Sequence, residues 1–213
     1  MVGCCEASIA SAKDLALIIG IDTYASLPSL NKAVEDANGY RTLFDEKGYD
    51  VTYIENPNAT DMRISLATFY NQIEQGDTVV FVYSGHGWSD GLQNFLVPAD
   101  TPDLRNSSTA AELTLPLRNG VNGVLDRIAE RGAGLSVAII DACRDNPFSG
   151  AETRTSGLNG GLAPIEPPSG SFIVYSAAAN QTALDRLGSG DDFQYSVFTR
   201  FFLPNLRQFG DLR

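Results

Sequence analysis

The sequence predicts an α/β fold with a mainly parallel sheet and helices on both of its faces. Three observations carry this. Five short strand-like runs, apolar and rich in β-branched residues, recur along the chain. Segments of helical period alternate with them, the pattern of βα units. Gly, Pro and Asn sit at the joints and break regular structure there.

In chain order, Leu15 to Ile21 (LALIIGI) reads as the first buried strand, with Asp22-Thr23-Tyr24 and Pro28 in the loop after it. Ala33 to Lys47 is a helix with Ala33, Ala37, Tyr40 and Phe44 on one face, and Gly48 suits its C-terminal cap. Tyr49 to Ile54 is the second strand. Thr60 or Asp61 caps a helix running to about Ile73, with Ile64, Ala67, Phe69 and Ile73 apolar. Thr78 to Tyr83 (TVVFVY) is the third strand. Gly87 to Pro116 reads as loop-rich, with a small hairpin around Phe95 to Pro98. Gly120 to Arg131 is amphipathic and ends at Gly132 and Gly134. Leu135 to Ile140 is a strand buried on both faces. Ser149 to Gly170, rich in Gly, Ser, Pro and Thr, is expected to be a mobile loop. Ser171 to Ser176 is the fifth strand, and Tyr195 to about Phe209 a last helix, interrupted or ended near Pro204. No internal repeat or long linker divides the chain, so residues 14–213 are expected to form one domain after a flexible start at 1–13.

The composition narrows the function. The 213 residues carry 15 Lys and Arg against 26 Asp and Glu, a net charge of -11. Such acidity argues against nucleic acid and anionic membranes as partners and is compatible with basic peptides. No apolar run reaches the length of a membrane span, and the first residues lack the plan of a signal peptide. The three cysteines, Cys4, Cys5 and Cys143, offer no disulfide framework. A reducing, cytoplasmic setting is the simplest expectation. Cys4-Cys5 is read as part of the flexible terminus, because one histidine cannot complete a metal site with it.

Chemistry concentrates at two strand ends. The only histidine, His86, follows the third strand inside Ser84-Gly85-His86-Gly87. Cys143 follows the fourth, inside Asp141-Ala142-Cys143-Arg144. Open α/β sheets place reactive groups at such carboxyl ends. A thiolate activated by a nearby imidazole is a strong nucleophile, and the imidazolium can then protonate a leaving amine. The 57 positions from His86 to Cys143 leave room for one βα unit, so their strands can be neighbours. The amides of Gly87 and Cys143 are candidates for an oxyanion hole. Position alone leaves a second reading open, in which Cys143 is a small buried hydrophobe and His86 a structural residue. No phosphate-binding loop and no G-x-S-x-G elbow is present.

Tyr83-Ser84-Gly85-His86-Gly87 and Asp141-Ala142-Cys143-Arg144 resemble the histidine and cysteine motifs of the caspase-like cysteine peptidases. Within that family the chain is most similar to the bacterial metacaspase-like, or orthocaspase, branch. Gln181 to Asp185 resembles the metacaspase stretch after the fifth strand. The likeness covers about Asp14 to Phe202 and implies a three-layer αβα sandwich around a sheet of about six strands. It divides the chain into a large-subunit-like part to about 148, a loop at 149–170 and a small-subunit-like part at 171–213.

The resemblance also implies a specificity. Aspartate-cutting caspases carry Gln two residues before the cysteine; here Asp141 stands there. Metacaspases carry acidic and hydroxyl residues at positions matching Asp36, Ser84 and Asp141, which line an acidic S1 pocket. A carboxylate pair favours guanidinium or ammonium, so cleavage after Arg, and less well after Lys, is expected. Lys32 lies near enough in sequence to offset that charge. Self-cleavage after Arg154 is a further expectation. Many metacaspases need calcium; Asp100 and Asp103 are counterparts of its ligands, though the chemistry itself requires no cofactor. Metacaspases tend to be monomeric and caspases dimeric, so both states stand open. A catalytically silent scaffold is the alternative function.

Overall fold

The computed structural model describes residues 11–103, 107–143, 162–177, 187–188 and 190–209; of Cys143 it describes the backbone. Cys4, Cys5, Arg154 and the stretch 181–185 lie outside these residues, and so does most of the loop 149–170.

The five expected strands form the parallel body of the sheet. They are β1 (Asp14–Gly20), β2 (Asp50–Glu55), β3 (Thr78–Ser89), β6 (Leu135–Cys143) and β7 (Ser171–Tyr175). Across the sheet the order is β2-β1-β3-β6-β7, every pair parallel. Two short antiparallel strands, β4 (Asn94–Leu96) and β5 (Leu115–Pro116), extend it from the far end of β3, giving seven strands among the described residues. β1 is an interior strand with Leu15 to Ile19 buried on both faces. That explains its unbroken apolar sequence.

Among the described residues, two helices cover each face. On one side α1 (Ala33–Glu46) and α5 (Val197–Phe209) pack on Ala16, Ile18, Val80, Val82, Val137 and Ile139. On the other, α2 (Ala59–Gln72) and α4 (Val124–Glu130) pack on Leu17, Ile19, Val79, Phe81 and Ile140. A short α3 (Ser107–Leu113) precedes β5. The alternation of partners along each strand is the period of two expected of a pleated sheet.

Several expectations change in detail. β3 runs to Ser89 and β6 to Cys143, so His86 and Cys143 stand within strands, not just past them. The reason is pairing: β4 extends β3 on one side, and β6 stays in register with it to the end. The cap of α2 is Asn58, whose Oδ1 accepts the Asp61 N–H at 2.8 Å. The buried stripe of α2 is Met62, Leu66, Phe69 and Tyr70, leaving Ile64 exposed. α5 continues through Pro204, held by Leu203 against Gly39 of α1.

The start of α1 is fixed from outside the helix. Lys32 makes no side-chain cap; instead the Asp22 carboxylate accepts the N–H groups of Ala33 and Val34 at 2.8 and 3.3 Å. Gly20 then lets the helix descend onto β1. A Cβ there would lie 2.7 Å from the Ala37 Cβ and 2.8 Å from the Ala33 carbonyl.

Candidate active site

The strand register sets out the site in two rows. Gly20, Ser84 and Asp141 align across β1, β3 and β6. Two residues further on, His86 of β3 aligns with Cys143 of β6. Adjacent strands are about 4.8 Å apart, which is the backbone spacing of the two motifs. Both rows are at the carboxyl ends of parallel strands, the usual place for ligands in such sheets.

His86 is held at backbone and ring. Its N–H donates to the Tyr24 hydroxyl at 2.7 Å, and its carbonyl accepts from the Tyr83 hydroxyl at 2.7 Å and the Val97 N–H at 3.2 Å. The Tyr24 ring lies against the imidazole with centroids 4.5 Å apart. Gly85 makes room for both phenols. A Cβ there would come within 2.8 Å of the Tyr83 hydroxyl and 2.9 Å of the Tyr24 hydroxyl.

The imidazole is 7% exposed, and Nε2 lies 2.7 Å from the Pro28 carbonyl oxygen. A carbonyl only accepts, so Nε2 carries the proton. In the neutral ring the basic lone pair is therefore on Nδ1. The Pro28 carbonyl thus orients the ring.

Asp36, Ser84 and Asp141 gather beside His86. They are 1, 2 and 8% exposed. Asp36 stands in the first turn of α1, which Gly20 has brought down over the row of Ser84 and Asp141. Ser196 joins the two carboxylates: its N–H donates to Asp36 Oδ1 at 2.9 Å and its hydroxyl to Asp141 Oδ2 at 2.7 Å. The Thr199 hydroxyl stands 3.5 Å from Asp141 Oδ2, and the Thr199 N–H donates to Ser196 Oγ at 3.2 Å, capping α5. Asp36 Oδ2 is buried with no hydrogen-bond partner among the described residues. Burial, and then the neighbouring Asp141 carboxylate, push the Asp36 carboxyl up to about 8. Burial likewise raises Asp141.

Lys32 does not neutralise this pair. Its ammonium lies 3.1 Å from Asp191 Oδ1, and the Arg200 guanidinium lies 2.7 Å from Asp191 Oδ2. All three side chains are buried. The Arg200 bond, followed by the Leu187 N–H, holds the Asp191 carboxyl well below the usual range. Asp100 serves α2, accepting the Ala59 N–H at 2.7 Å. Among the described residues, no three His, Cys, Asp or Glu side chains converge on a metal-sized site. A cleft of about 710 Å³ opens on the opposite face, among Arg63, Tyr70, Asp90, Phe95 and Arg127; it contains none of the site residues.

Sequence reasoning missed Pro28, Tyr24, Ser196 and Thr199. A backbone carbonyl has no residue-type signature, so nothing pointed to Pro28. Ser196 carried a signal as a serine ahead of an amphipathic stretch, but that signal places a cap and says nothing of Asp141.

The chain is similar to known proteins along most of its length. The family model for the caspase domain matches residues 13–212. The chain is 25% identical to human mucosa-associated lymphoid tissue lymphoma translocation protein 1 over 177 residues, which is 79% of this chain and 20% of that protein. It is 30% identical to pig caspase-1 over 101 residues, 46% of this chain and 25% of that protein. The chain thus spans about a fifth to a quarter of the length of these curated relatives.

Proposed function

The chain belongs to the caspase-domain family, a family of cysteine peptidases, and from that premise we propose that it is an endopeptidase cutting after basic residues through Cys143 and His86. The observation that carries the proposal is the register of His86 with Cys143 beside a buried pair of aspartates. In this reading His86 Nδ1 takes the Cys143 proton while Nε2–H stays on the Pro28 carbonyl. The thiolate attacks the peptide carbonyl carbon, and the N–H groups of Gly87 and Cys143 receive the oxyanion. As the C–N bond breaks, the imidazolium returns its proton to the leaving amine. Water then opens the thioester, with His86 accepting its proton and passing it to the departing sulfur.

Asp36, Ser84 and Asp141 form the S1 site of this proposal. Two carboxylates suit the fork of an arginine better than the point charge of a lysine. The substrate is accordingly a peptide or protein with Arg, or less well Lys, at P1. The bond after Arg154 is a candidate for self-cleavage. The chemistry draws on no metal, and calcium bound near Asp100 and Asp103 would act as an activator only. Among the described residues no helix is long and apolar enough to cross a membrane.

Hydrolysis of fluorogenic peptides ending in Arg, Lys or Asp, with and without calcium, tests this against Cys143→Ala. Cleavage after Arg exceeding Lys, and abolished by the substitution, is the expected result. Cleavage after Asp would overturn the pocket, and no cleavage of any peptide would favour the scaffold reading. Intact mass of the purified protein, compared with Cys143→Ala, reads out cutting at Arg154.

A further inference from the structure

We infer that Ser196 holds Asp36 and Asp141 as one proton-sharing receptor, so that the empty S1 site keeps a proton which an incoming cationic side chain displaces. This rests on the basic-residue reading above and goes beyond it. It assigns a positioning role to Ser196 and couples substrate binding to proton release.

The geometry behind it is specific. Both carboxylates hydrogen-bond to the same residue, one to its N–H and one to its hydroxyl. Both are buried; among the described residues neither has an ion pair, and Lys32 and Arg200 are engaged with Asp191. Two adjacent carboxylates with no cation between them do not both stay ionised; they share a proton. Asp36 Oδ2, without a partner, is an oxygen positioned to take part in that sharing. A guanidinium brings the missing charge, both carboxylates then ionise, and one proton leaves to solvent.

Among the described residues, few other groups face the pair. Ahead of α1 stands Lys32, and on α1 the exposed Glu35, held by Gln194, and the buried Tyr40 phenol. From β3 they are Ser84 and His86. Ahead of α5 stands Asp191, and on α5 Thr199 and Arg200. Of these, His86 acts on the chemical step in the proposed mechanism. The coupling is therefore read in KM, apart from kcat. Ser196→Ala removes the hydroxyl that favours ionised Asp141, which raises the pH at which the proton leaves.

The test has two arms. The first is infrared spectroscopy of the free protein, taken as the difference from Asp36→Asn/Asp141→Asn. It is expected to show a protonated carboxyl band at neutral pH that disappears as pH rises towards 9, with a higher midpoint in Ser196→Ala and the wild-type midpoint in Ser196→Thr. The second is KM for an arginyl peptide, which should fall about tenfold for each unit that pH rises towards the midpoint, and should follow the same shifts. No carboxyl band would overturn the inference whether or not peptides are cut. A midpoint and KM unmoved by Ser196→Ala would remove Ser196 from the site. A titrating band with no cleavage after Arg or Lys would instead overturn the basic-residue reading.

Discussion

Gly85 shows how much one missing methyl group can decide. Two tyrosine hydroxyls occupy the space its Cβ would need, and they fix the backbone of His86 on either side. Gly85→Ala is expected to cost about 1–3 kcal/mol through overpacking. Displacement of the base should lower kcat on the order of 10²-fold. Thermal unfolding and peptide kinetics read the two losses separately; normal kcat in a destabilised variant would show that the tyrosines serve packing alone. Tyr24→Phe is the milder probe. It leaves the His86 N–H buried without its acceptor, at about 1–3 kcal/mol.

At the scale of the element, α1 carries one acid of the proposed pocket. Its first turn holds Asp36, and its position depends on Asp22 from the loop after β1. Asp22→Ala removes the acceptor for two helix N–H groups and should cost about 0.5–2 kcal/mol. Because Asp36 stands in the same turn, KM for arginyl peptides should rise as well. Unfolding midpoints with KM measured on the same preparation check this; a stability loss with unchanged KM would separate the cap from the pocket. The extension of β3 matters equally. Pairing with β4 and β6 keeps it straight to Ser89, and so turns a sequence motif into a fixed row beside Cys143.

The whole molecule carries the cost of the buried acid pair as a pH-dependent stability. Asp36 is raised from 3.8 to about 8, chiefly by burial. The unfolded chain loses this proton near pH 4 and the native state keeps it to about pH 8. The native state therefore holds more protons in that window, and stability falls as pH rises through it. Asp36→Asn should stabilise the protein at pH 8, by on the order of 3 kcal/mol, with no gain at pH 4. Denaturant titrations at the two pH values measure it. An equal gain at both would assign the effect to something other than ionisation. A gain confined to pH 8 makes the acid pair an example of a proposed function held at the expense of stability.

The strands and helices were legible in the sequence because burial writes a period into it. Leu15 to Ile19 had to be apolar throughout, and Ala33, Ala37, Tyr40 and Phe44 had to recur at helical spacing. The motifs around His86 and Cys143 were legible for the same local reason, since each lies at the end of such a run. What the sequence could not state is which distant residues meet there. Ser196 lies 160 positions from Asp36, and Pro28 lies 58 from His86. Both contacts depend on crossovers that bring α1, α5 and the loop after β1 to one sheet edge. A carbonyl oxygen that orients a base and a serine that joins two acids are properties of that arrangement, and only the tertiary structure decided them.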